Sequence, residues 1–458
     1  MTVINSHQDT IVALATPAGV GAIGVIRVSG KEAIKIANKV FKGADLEKQK
    51  SHTIHFGTIR DDNEILDEVL VSLFIEPRSF TKENVVEIST HGSNFIIRKI
   101  IQLLLSKGAR FAKPGEFTKR AFLNGKFDLA QAEAVADLIY ADTEASHLAA
   151  MNQMRGGFSL EIKNLRNELV HFASMIELEV DFSEEDVEFA SRDDLKKLVD
   201  HLIEVIDKLV KSFDLGNVIK NGVPTVIAGK PNVGKSTLLN ALLKEDKAIV
   251  TDIPGTTRDL IEDEITLGGI NFRFIDTAGL RDTEDTIEAI GVQRTREKMR
   301  QASLIIYLFD LNNETLKEIE ETIKTLDNQE VPVIKVGNKI DLADQNFIVD
   351  LEKISSMVYI SADRGDNLDH LKEKILEIVN LNQFKTGDPL VTSIRHFESL
   401  SQTKNSLDQV INGINSGISN DLLALDIRYA LNHLGEITGE ITTEDLLENI
   451  FSKFCIGK

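Results

Sequence analysis

The stretch TVIAGKPNVGKST, Thr225 to Thr237, decides how the middle of this chain folds. Gly229 to Ser236 fits the phosphate-loop pattern G-x-x-x-x-G-K-[ST]. A Val/Ile-rich strand precedes it and the helix-spaced run STLLNALL follows it, which is the strand–loop–helix context that the pattern needs. The pattern places Asn232, Val233, Gly234, Lys235, Ser236 and Thr237 around a nucleotide. Backbone N–H groups there can cradle phosphates, Lys235 can reach the β and γ oxygens, and Ser236 can ligate Mg²⁺.

Downstream, strand-like and helix-like segments alternate: FRFIDTAG, LIIYLFD, VPVIKVGN, MVYISA and LDHLKEKILEIV. That alternation predicts a doubly wound α/β domain over residues 219–382. Four further motifs follow the phosphate loop in order. TDIPGTTRD supplies Thr251, Asp252, Ile253, Pro254, Gly255, Thr256 and Thr257, with Thr257 placed to close over Mg²⁺. DTAG supplies Asp276, Thr277, Ala278 and Gly279; Asp276 suits the Mg²⁺ site, and Gly279 lets the backbone approach a γ-phosphate. NKID, Asn338-Lys339-Ile340-Asp341, reads guanine: Asn338 fixes the ring edge and Asp341 accepts from its donors. SAD, Ser361-Ala362-Asp363, resembles the last guanine-contacting loop. Each motif alone could arise by chance; five in order specify GTP. Leu280 stands where Ras-like enzymes carry the glutamine that orients the attacking water. Glu284, Asp285 and Glu288 are nearby acids, and any one of them could equally be a solvated surface charge.

The flanks differ. Residues 1–120 read as mixed α/β, with strands in TIVALAT, AIGVIRVS, EVLVSLFIE and NVVEIST and helices in KEAIKIANKVFKG and NFIIRKIIQLLLSKGA. Residues 121–218 are helical in texture, with LAQAEAVADLIYADTEASHLAAMNQM reading as one long segment and GNVIKNGVP as a break after LKKLVDHLIEVIDKLVKSF. Helical texture returns over 383–458. The simplest arrangement is a helical domain interrupted by the α/β insertion.

Bulk properties bound the rest. A chain of 458 residues exceeds what one core usually supports, and 42% hydrophobic residues supply several. The net charge of −20 argues against indiscriminate binding to nucleic acid or anionic lipid. One cysteine, Cys455, excludes an intrachain disulfide framework and suits a reducing compartment. No signal peptide and no run long enough to span a bilayer is visible, so a cytoplasmic protein without a membrane partner is expected.

The stretches ATPAGVGAIGVIRVSG, PGEFTKRAFLNGKFDLAQAEAVADLI, TDIPGTTRD, DTAGLR and the tail FCIGK together resemble the bacterial tRNA modification GTPase family called MnmE or TrmE. The resemblance spans both ends and the middle. It implies a multidomain fold: an N-terminal α/β (α+β) domain that binds folate and drives homodimerisation, an all-α helical domain built from both flanks, and an inserted G domain. It implies K⁺ held by Asn232, Thr251, Ile253 and Thr256, Mg²⁺ held by Ser236 and Thr257, and Glu288 positioning the water. For a reduced folate (5-formyl- or methylene-tetrahydrofolate) it points to Arg27, Glu87, Lys126 and Lys458. It implies an FAD-dependent partner, forming a heterotetramer or larger, with FAD on that partner, and tRNA as the modified molecule. Cys455 then belongs beside the one-carbon site, where it either attacks the uridine or shapes the pocket. The competing reading is a GTPase switch in ribosome assembly, which usually carries a basic RNA-binding module that is not visible here.

Overall fold

The structure, a computed structural model, describes residues 9–181, 192–245, 263–275, 302–327, 331–378 and 389–457. The chain forms two compact units: Met1–Ile139, Gln153–Glu204 and Ser399–Lys458 in one, Tyr140–Asn152 and Val205–Glu398 in the other.

The first unit begins with strands β1 (Ile11–Leu14), β2 (Ile23–Ser29), β3 (Phe41–Lys42), β4 (Thr53–Asp61), β5 (Glu64–Phe74), β6 (Val85–His91) and β7 (Arg110–Phe111), in the sheet order β3-β4-β5-β6-β2-β1-β7. Alternation along the strands gives the sheet two chemistries. Val12, Ile26, Val28, Val71 and Ile88 point to one face, where helices Ala33–Val40 and Asn94–Ser106 cover them through Ile36, Ile100 and Leu104. On the other face, Ile11 and Ala13 pack with Ala112 and Phe117, the latter from helix Glu116–Leu123.

The same unit holds helices from both ends of the chain. Helix Gly157–Asp181 packs on helix Asn420–Thr438, and Arg428 pairs with Glu177 across 251 residues of sequence. The helical domain is therefore built from both flanks of the insertion. Helix Asn420–Thr438 stops at Gly439, whose φ of 79° is left-handed, the usual glycine stop. Helix Glu444–Ser452 buries Leu447 and Phe451 in a cluster with Leu129, Ala132 and Phe454.

Two helical readings need correction. LAQAEAVADLIYADTEASHLAAMNQM is two helices, Leu129–Tyr140 and Glu144–Met154, because Thr143 accepts the Ser146 N–H through its hydroxyl (3.1 Å) and caps the second. GNVIKN does not break the preceding helix, which runs from Arg192 to Asn221. Gly216 is tolerated within it because the Val391 carbonyl passes where a Cβ would stand. The stop comes at Gly222, at φ 73°.

The second unit carries β8 (Val223–Gly229), β9 (Asp263–Leu267), β10 (Ile270–Phe274), β11 (Leu304–Asp310), β12 (Val333–Asn338) and β13 (Val358–Ile360), ordered β13-β12-β11-β8-β10-β9. All neighbours are parallel except β9 and β10. β8 and β11 are almost continuously buried, as strands covered on both faces must be. The registers Leu308↔Gly229, Asp310↔Asn338 and Asn338↔Ile360 bring four carboxyl ends to one edge. Ligands of doubly wound sheets bind at such an edge.

Candidate functional site

The phosphate loop leaves β8 at Gly229 and enters helix Lys235–Glu245. Its carbonyls are tied down one after another. Lys235 Nζ donates to the carbonyls of Gly229 and Lys230, both at 2.9 Å. Lys339 Nζ donates to the Asn232 carbonyl (3.0 Å), and Asn338 Nδ2 to that of Val233 (2.7 Å). In a planar trans peptide the N–H opposes the C=O. Tying the carbonyls of 232 and 233 therefore turns the N–H groups of Val233 and Gly234 the other way, into the loop, where an anion would be cradled. Asn232 and Gly234 take left-handed φ values of 60° and 98°, and a Cβ at Gly234 would overlap the Asn338 amide. Burial pulls the pKa of half-buried Lys235 below the ordinary lysine value. Ser236 is half-buried at the helix start, and Thr237 is exposed.

The NKID and SAD loops join the same edge. Asn338 is buried, and its Oδ1 accepts the Ala362 N–H at 3.0 Å, so one side chain links the phosphate loop, β12 and the SAD loop. Lys339, at φ 65°, also pairs with Asp310 at 2.6 Å. Burial would raise the Asp310 pKa, but Lys339, Asn313 and the Asn312 N–H outweigh it and hold the carboxyl below its usual range. Asp341 faces Arg364 at 3.3 Å, Ile340 is half-buried, Ser361 and Ala362 are buried, and Asp363 is exposed. Asp310, Glu314 and Arg364 fall outside the motifs that the sequence exposes, and Lys230 stands at a position that the phosphate-loop pattern leaves free. The only sequence signal was that Asp310 ends a strand. Ser236 and Asn232 suit Mg²⁺ and K⁺ by their oxygen donors. The expected co-ligands Thr251, Ile253, Thr256 and Thr257, with Asp252, Pro254, Gly255, Asp276, Thr277, Ala278, Gly279 and Glu288, lie outside the described residues, as does Lys458.

A second cluster lies in the first unit. Arg27 on β2 and Glu87 on β6 stand opposite in register. Glu87 Oε1 lies 2.9 Å from Arg27 Nε and 2.8 Å from its Nη2, and the two side chains are 18% and 26% exposed, open enough to be approached. The guanidinium lies over the rings of Phe80 (5.3 Å) and Phe117 (5.7 Å). Its Nη1 donates to the Gly457 carbonyl at 3.4 Å, which brings the C-terminal turn to the pair. Gly457 has φ 98°, and a Cβ there would overlap the Leu14 carbonyl. Cys455 is exposed between buried Phe454 and Gly457, and its carbonyl accepts the Gly115 N–H at 3.4 Å. Lys126 is exposed and has no side-chain hydrogen bond among the described residues; its neighbour Phe127 meets Phe80 edge-on at 5.9 Å. Phe80 lies in no quoted motif, and Phe117 and Gly457 lie within quoted stretches but were not singled out as site residues. A cation, a carboxylate and aromatic rings are a donor set that fits a folate.

No helix among the described residues is long and apolar enough to cross a membrane. The family described as "GTP-binding protein TrmE N-terminus" matches residues 10–126, and the MnmE helical domain matches residues 129–455. The tRNA modification GTPase MnmE of Cytophaga hutchinsonii is 60% identical, covering 100% of this chain and 99% of that protein. The protein of the same name from Christiangramia forsetii is 53% identical, covering 98% and 99%. Among solved structures, the FeoB G-domain of Methanococcus jannaschii covers 34% of this chain and 97% of its own at 23% identity and a TM-score of 0.26. The chain therefore belongs to the MnmE family of tRNA modification GTPases.

Proposed function

We propose that the chain is a K⁺-dependent GTP hydrolase that, with an FAD-dependent partner, installs an aminomethyl-type (carboxymethylaminomethyl) group at C5 of the wobble uridine of certain tRNAs. A reduced folate donates the one-carbon unit. The observation that carries the GTPase part is the tethered phosphate loop, with Asn338 joining it to the base-reading loop. The convergence of Arg27, Glu87 and the turn bearing Cys455 supports the folate part.

In this reading Lys235 exchanges its two carbonyl partners for phosphate oxygens, and the N–H groups of Val233 and Gly234 bind the anion. Asp341 and Asn338 select guanine, because adenine offers an acceptor where guanine offers a donor. Mg²⁺ and K⁺, when bound, supply the positive charge that phosphoryl transfer requires. Asn232 is exposed beside the cradle with its backbone fixed, as a K⁺ ligand should be, and Glu288 orients the water that Leu280 cannot. Arg27 and Glu87, in contact with each other, meet the same end of the folate, where Glu87 accepts from its pterin donors, and Lys126 holds its carboxylates. The chain acts as a homodimer: Ile54, Phe56 and Leu70 form an exposed apolar patch on β4 and β5, with Phe56 opposite Leu70 in register.

GTP turnover compared in KCl and NaCl at equal ionic strength tests this. Hydrolysis should be strong in KCl and weak in NaCl, and Glu288→Ala should lower kcat in KCl while GTP affinity stays nearly intact. Equal rates in the two salts would refute the K⁺ role.

A further inference from the structure

Lys230 occupies the second position of the phosphate loop, one that the motif leaves free. Its side chain turns to the segment after β11. Nζ lies 3.1 Å from Glu314 and 3.2 Å from Glu318. The two acids are not equivalent. Glu318 is half exposed; it closes a capping box with Thr315 at the start of helix Leu316–Leu326. Hydrogen bonds from the Thr315 backbone and hydroxyl, then Lys230, hold its pKa at about 2. An exposed pair of this kind contributes little by itself. The Glu314 side chain is only 6% exposed. One of its oxygens accepts the Asp310 N–H at 2.8 Å, and Lys230 is its one cationic partner among the described residues. A buried carboxylate is costly unless paired, so the Glu314–Lys230 pair is the one that constrains geometry. Burial lowers the Lys230 pKa, yet the bonds to Glu314 and Glu318 outweigh it and hold the ammonium charged above the ordinary lysine value.

The same residue meets the reacting lysine through its backbone. The Lys230 carbonyl accepts Lys235 Nζ at 2.9 Å. Pro231 follows, so this peptide has no N–H to turn toward a phosphate. Its carbonyl and its side chain are what it contributes. We propose that Lys230 is a positioning residue for GTP binding, its pair with the buried Glu314 carboxylate fixing the peptide whose carbonyl holds Lys235 ready for the phosphates. Removing the pair lets that peptide rotate. Lys235 is then no longer pre-oriented, which weakens nucleotide capture in the ground state and leaves the chemical step nearly unchanged. Arginine, which keeps the charge and can reach the same carboxylate, should substitute.

The test uses the full-length chain, steady-state GTPase assays and release of a fluorescent GDP analogue, with thermal melts to confirm folding. Lys230→Met should raise KM for GTP and speed GDP release by about tenfold, a typical coupling energy for contacting groups, with kcat changed less than about threefold. Glu314→Gln should match it, and the double variant should add little. Lys230→Arg should restore both values to within about twofold of native. Unchanged KM and release in folded Lys230→Met would overturn the proposal. So would fully additive effects of the two substitutions, or a lowered melting temperature as the only change.

Discussion

Asn338 spends both ends of its amide on the protein, donating to Val233 and accepting from Ala362. NKID was legible as a guanine motif, but these two bonds were not, because they join residues 105 and 24 positions away. Asn338→Ala should leave two buried backbone groups unpaired and cost about 1–3 kcal/mol in denaturant unfolding. It should weaken GTP and GDP together, whereas Asp341→Asn should change base preference at little cost in stability. Equal stability of Asn338→Ala and the native chain would show that the links carry no load. Glu116 was equally invisible in the sequence. It accepts from Arg110 (2.6 Å), Arg120 (3.0 Å) and the Lys113 N–H (2.8 Å). Burial would raise its pKa, but these donors hold it below 4.5. A depressed folded pKa stabilises above the unfolded value and loses that contribution as pH falls through the folded one. Glu116→Gln should therefore destabilise the chain at neutral pH and flatten the fall of its melting temperature below about pH 4.5. An unchanged acid limb would contradict this.

Elements whose periodicity is local were readable. β8 and β11 are rich in apolar residues and almost continuously buried, as central parallel strands must be. The spacing of Leu446, Leu447, Ile450 and Phe451 announced helix Glu444–Ser452, which buries Leu447 and Phe451 and half-buries the other two. The sheet order β3-β4-β5-β6-β2-β1-β7 was not readable, since strand pairing across long loops leaves no local trace. The resemblance put the C-terminal turn beside the candidate folate site, but its contacts with the Leu14 carbonyl and the Gly115 N–H were not readable. Gly457→Ala tests that turn. A Cβ at φ 98° is strained, and the Leu14 backbone cannot yield cheaply. The tail should leave its place: carboxypeptidase should trim it faster, and a calorimetric titration should show weaker binding of a formyl-tetrahydrofolate. GTP turnover should stay within about twofold, since distant sites behave nearly independently. Native folate affinity with a released tail would separate the turn from the site.

At the scale of the whole molecule, the change from alternating strand and helix to helix alone pointed to three parts, one of them inserted into another. The family follows from the matches over residues 10–126 and 129–455. The coupling of the parts has no such signature. GTP chemistry rests on residues of the second unit, and the proposed one-carbon chemistry rests on Arg27, Glu87 and Cys455 of the first. The account therefore requires that each can be removed separately and that wobble modification needs both. The most direct measurement is mass spectrometry of wobble nucleosides from cells whose own copy is replaced by Lys235→Ala or by Cys455→Ser, with GTP turnover measured on each purified variant. The account predicts that the modified uridine disappears in both, that Lys235→Ala loses GTP turnover, and that Cys455→Ser keeps it within about twofold of native. Normal levels of the modified nucleoside in cells lacking GTP turnover by this chain would contradict it.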